Sequence, residues 1–136
     1  MCRLLFLILT VNLPVESKLF ASSGGLQVFC LAPAVYGKNR SESEISEKIQ
    51  QKINYYSLCY SQNFDNKSAT SFKVRFRFII KADGSIADIS TVFTGTKNNA
   101  FIECLIGMFK QIYFQKIDPE YGDTVVEQSI LFKVQS

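Results

Sequence analysis

The chain has 136 residues, the size of one domain, and its apolar share of 47% excludes a disordered class. With 15 basic and 12 acidic residues its net charge is +3, too mild to announce a nucleic-acid or membrane-surface protein. Histidine and tryptophan are absent, which removes Ser-His and Cys-His nucleophile pairs and histidine-ligated metals.

The amino terminus has the pattern of an export signal. Arg3 supplies a positive charge, residues 4–13 are apolar except Thr10 and Asn12, and Pro14 breaks the run. The run is half of the roughly twenty residues a membrane-spanning helix needs. Small residues suit cleavage after Ser17 or after Ser23; Gly24-Gly25 favours the second. Residues 1–23 are therefore read as a signal peptide and the protein as periplasmic or secreted. Export lets thiols oxidise. Removal of Cys2 with the signal leaves Cys30, Cys59 and Cys104, an odd number. Bulky Phe29 precedes Cys30, unlike the small residue that a lipidated cysteine follows, so Cys30 is read as a free or buried thiol.

Residues 24–40 read as a linker or lead-in, with a short strand over residues 26–31 and loop residues at Pro33, Gly37 and Asn39. The domain proper is assigned to residues 41–136. Its first helix opens at Ser41, where Ser41 and Glu44 have capping-box spacing. Ile45, Ile49, Ile53, Tyr56 and Tyr60 then recur at intervals of four and three, one helical stripe. Polar residues 63–71 end it. Glu42, Glu44 and Glu47 serve capping and solubility, with no second carboxylate fixed opposite for acid-base work.

Period-two alternation marks residues 72–81 as a strand. Phe72, Val74, Phe76, Phe78 and Ile80 share one face. Lys73, Arg75, Arg77 and Lys81 form a basic row facing solvent or an anionic partner. Asp83-Gly84 predicts a hairpin. A two-residue loop sets Ile80 opposite Ala87 and Phe78 opposite Ile89; a three-residue loop with a bulge at Gly84 shifts the register by one. A second helix runs from Asn98 or Asn99 to about residue 113, burying Phe101, Cys104, Leu105, Met108 and Ile112. Turn chemistry fills residues 118–123, and residues 124–134 form the last strand. There Val126, Ile130 and Phe132 point inward; Glu127, Gln128, Ser129 and Lys133 point outward.

The order is helix, strand, strand, helix, strand. It predicts an α+β fold with two helices on one face of a three-stranded antiparallel sheet, the first strand in the middle. Cys59-Tyr60 ending a helix, the strand from Val74 to Ile80, Gly84, Asn98-Asn99, Cys104, Phe114 and an apolar strand closing on Phe132 resemble, in this order, the TonB-like C-terminal domain of AgmX/PglI-type bacterial envelope proteins. The resemblance covers roughly residues 45–134. It implies a Cys59–Cys104 disulfide pinning helix to helix, the alternative being two buried free thiols. Closing that loop stabilises by roughly 4 kcal/mol.

The resemblance also implies a partner bound by strand addition at the last strand, through Thr124, Val126, Gln128, Ile130 and Phe132. The partner would be another envelope protein, in an outer-membrane or energy-transducing complex. Self-association into a homodimer and a cystatin-like inhibitor are the alternatives. No enzymatic activity, cofactor, metal, nucleic acid or small-molecule substrate is expected.

Overall fold

The computed structural model describes residues 25–37, 39–65 and 70–134. Residues 1–23, read as a signal peptide, lie outside the described residues.

Five strands form one antiparallel sheet: β1 (Leu26–Cys30), β2 (Ala34–Tyr36), β3 (Phe72–Ile80), β4 (Ile86–Thr94) and β5 (Thr124–Val134). Three helices accompany it: α1 (Glu42–Gln50), α2 (Ile53–Asn63) and α3 (Asn99–Phe109). A 3-10 turn at Pro119–Tyr121 leads into β5. The α+β class and the antiparallel β5–β3–β4 core agree with the sequence. The three-strand, two-helix layout does not.

The first correction lies in residues 24–40. The lead-in contributes β1, pairing Leu26 with Val134 through Cys30 with Ile130, and β2, pairing Ala34 with Glu127. β5 is thus paired on both sides and is central, not an edge. Thr124, Val126, Gln128, Ile130 and Phe132 all point into the core and are buried. Gln128, expected outward, lies at the step between β1 and β2, where its Nε2 donates to the Leu31 carbonyl at 2.7 Å. The amide spans the point where the outer strand stops accepting ladder bonds, which a buried polar group requires.

The second correction is a break in the first helix. The apolar stripe runs on without interruption, yet α1 stops at Gln50 and α2 starts at Ile53. The Ile49 carbonyl takes the Lys52 amide at 3.2 Å and the buried Tyr56 hydroxyl at 2.8 Å. That hydroxyl fixes the kink. Ser41 caps α1 as expected, accepting from the Glu44 amide at 3.0 Å. Asn98 caps α3 through Phe101 and also donates to the Asn63 carbonyl at 2.8 Å, tying the start of α3 to the end of α2.

The hairpin takes the three-residue loop. Lys81 pairs with Ser85 and Gly84 sits at φ 95°. Asp83 accepts from both the Ser85 amide and hydroxyl, which lowers its pKa. Two bulges follow in β4. Asp88, at φ 52°, is the extra residue opposite Phe78, and Val92 is the extra residue between the Phe76–Thr91 and Arg75–Phe93 pairs. The two-residue-loop register therefore holds only in the middle, at Arg77–Ser90 and Phe76–Thr91.

The core lies between the sheet and the helices. Tyr60 stacks on Phe64 at 4.7 Å and meets Phe72, Phe101 and Phe132. Phe76 and Phe78 pack on Phe109 of α3.

Candidate functional site

Cys59 of α2 and Cys104 of α3 form a disulfide with Cα atoms 5.7 Å apart. It ties the two helices to each other on one face of the sheet. Cys30 is the free cysteine among the described residues. Its side chain packs inward, and burial pushes its thiol up to about 12, so it is no nucleophile at neutral pH.

The sheet has two margins. On one, β1 and β2 are short and interrupted by residues 31–33, with Pro33 between them. Short strands and proline protect an edge from pairing. On the other, β4 runs for nine residues and pairs only with β3. Between Ile86 and Thr94 it has no proline, lysine or arginine, and Asp88 is its one charge. Val92 and Phe93 are 52% and 51% exposed, against a core strand β3 that buries five of its nine side chains fully or nearly so.

α3 flanks this edge. Cys104 turns toward α2, and at 100° per residue Ile102 and Ile106 fall on the opposite flank, the side where α3 packs against β4. Both are half-buried. An extended segment laid along β4 would meet unpaired backbone on one side and these apolar side chains above it. The sequence reading placed the receiving edge on β5, which is paired on both sides; the long strand paired on one side only is β4. Its run 89–94 carries no charge, and the bulges at Asp88 and Val92 are what interrupt the strand.

The sheet face away from the helices holds the basic row. Arg75 and Arg77 share Glu127: Arg75 Nη2 lies 2.8 Å from Oε1 and Arg77 Nη1 lies 3.1 Å from Oε2. Arg75 Nη1 also donates to Ser129 Oγ at 3.1 Å. Lys81 faces Asp123 at 3.6 Å. All four predicted basic residues are on this face, three of them partnered.

Arg40, just before α1, is buried, and its guanidinium donates to the Gln115 carbonyl at 2.7 Å and the Lys81 carbonyl at 3.0 Å while lying over the Phe114 ring. Nearby, the Asn39 side chain donates to the Tyr121 and Gly122 carbonyls and accepts from Thr124. These residues build the domain.

No group of three or more His, Cys, Asp or Glu residues that could hold a metal occurs among the described residues. No helix among them is long and apolar enough to cross a membrane. No family model, curated protein or solved structure matches the chain.

Proposed function

We propose that the protein is an exported, non-enzymatic binding module that takes an extended segment of another envelope protein as an added strand on β4. One observation carries the reading: β4 is a nine-residue edge, paired on one side only, with an uncharged run from Ile89 to Thr94. Each new backbone hydrogen bond contributes about 0.5–1.5 kcal/mol, and alternate side chains of the guest supply specificity. Ile102, Ile106 and Val92 form the apolar lip that would receive them.

The Cys59–Cys104 bridge supports an oxidising compartment, the periplasm or outside the cell. The order from α1 onward (the kinked pair α1–α2, β3, β4, α3, β5) and the cysteine pair are what support a TonB-like domain, to which β1 and β2 are additions, with the receiving edge moved from the last strand to β4. Replacing Val92 with a photo-reactive residue in the cell envelope, with Glu47 as control site, tests the reading. A protein adduct at Val92 that disappears with Thr91→Pro supports it. Equal cross-linking at Val92 with and without that proline sinks it.

Self-pairing of β4 is the second reading. It is favoured by the same charge-free run, because two copies meeting antiparallel bring no like charges together. Light scattering separates the two: a dimer at micromolar concentration that Thr91→Pro dissociates supports self-pairing.

A further inference from the structure

The helix-free face of the sheet has a charge imbalance. Lys73, Arg75, Arg77, Lys81 and Lys133 point to it against the carboxylates of Glu127 and Asp123, an excess of three positive charges. Glu127 satisfies Arg75, whose Nε, Nη1 and Nη2 are all engaged. Arg77 gives only Nη1 to Glu127 and is otherwise 55% exposed. Lys73 and Lys133 are exposed and make no ion pair among the described residues. Phe29 of β1 and Phe93 of β4 border this face at opposite margins, 43% and 51% exposed. The surface is a basic centre between two apolar borders.

We propose that this face binds an acidic amphipathic helix of a partner protein, a contact independent of strand addition at β4. Charge decides the class of occupant. A second copy laid face to face would set three surplus positive charges against three. Continuous polyanions, whether nucleic acid or an anionic bilayer, would press phosphates onto Glu127 at the centre. Discrete carboxylates on a helix can straddle it. Lys73 and Arg77 are four residues apart on a strand, roughly 13 Å. Glutamates eight residues apart on one helical face span about 12 Å. Leucines flanking that glutamate face on either side would reach the Phe29 and Phe93 borders.

The test titrates the 15N-labelled full chain with a 20-residue helical peptide bearing a glutamate stripe flanked by leucines. Its lysine counterpart, vesicles of phosphatidylcholine with 30% phosphatidylglycerol, and a 20-mer of oligothymidylate are the comparisons. The glutamate peptide is expected to shift the amides of β3 and β5 and to weaken about tenfold from 50 to 300 mM salt. Lys73→Glu with Lys133→Glu, neither of which breaks an ion pair, should weaken it at least tenfold with unchanged melting temperature, and Thr91→Pro should leave it unchanged. No shift at millimolar peptide, equal affinity for the charge-reversed chain, or tighter binding of vesicles or oligothymidylate overturns the proposal. Shifts confined to β4 and α3 also overturn it, while leaving strand addition standing.

Discussion

The Phe114 amide donates to the Gly84 carbonyl at 2.8 Å, and the two backbones are so close that a methyl group at Gly84 would overlap the Phe114 carbonyl. Gly84 also needs its φ of 95° to close the three-residue loop. Ile117 donates to Ala82 and Arg40 reaches Lys81, so the turn is clasped from two sides. Gly84→Ala should destabilise by about 2–4 kcal/mol, since both backbone strain and overlap act together. A denaturant series on the two proteins measures it. A loss below half a kilocalorie per mole would mean the clasp is absent.

Mass spectrometry of non-reduced protein should show Cys59 and Cys104 peptides linked, with Cys30 alkylated only after unfolding. Reduction, or the pair Cys59→Ala and Cys104→Ala, should lower stability by roughly 4 kcal/mol. Cys59 is fully buried and Cys104 only partly, so reductant is expected to act through Cys104. Rapid alkylation of Cys30 in the native protein would contradict its inward packing.

Glu127→Gln leaves Arg75 and Arg77 side by side without their shared carboxylate. Glu127 is only 14% exposed, so screening is partial, and a loss of about 1–2 kcal/mol is expected. Adding Arg77→Gln should recover part of it, because the like-charge pair is then gone. A double-mutant cycle on thermal unfolding reports the coupling. An additive result would mean the two arginines do not compete for one partner.

Alkaline pH should destabilise the fold. Burial raises the Cys30 thiol from 9.0 to about 12 and pushes the Tyr56 hydroxyl up from 10.0. The folded state therefore holds these protons more tightly than the unfolded one. Their contribution is whole below pH 9 and is lost as pH rises from there toward the folded values. Stability should fall by about 1.4 kcal/mol per pH unit for each group titrating in that window. Urea midpoints at pH 8, 9.5 and 11 check this. Cys30→Ala should flatten the slope between pH 9 and 10, where Tyr56 is not yet involved.

What the sequence made legible follows from which signals are local. β3 alternates over nine residues, and Phe72, Val74, Phe76, Phe78 and Ile80 all face inward as their spacing predicts. The caps at Ser41 and Asn98 and the Cys59–Cys104 pair were likewise local or pattern-borne. The stripe from Ile45 to Tyr60 concealed the kink, because a two-residue break preserves which side faces the core. β1 was noticed as a short strand, but nothing in Leu-Gln-Val-Phe-Cys names its distant partner β5. Without that pairing β5 looked like a margin. The bulges at Asp88 and Val92 depend on how β4 twists at the end of the sheet, which no single-strand pattern encodes.

The central place of β5 also sets a clock on folding. It is the last element in chain order, yet β1 and β2 precede it by nearly the whole domain and pair with nothing else. A chain emerging amino terminus first can zip β3 onto β4 early. It cannot seat its first strands until residues beyond 124 arrive. A molecule halted before that point presents β1 and one whole side of β3 unpaired, an aggregation-prone form. Assembly is thus a late and nearly single event, and an unfinished copy cannot pass as a finished one.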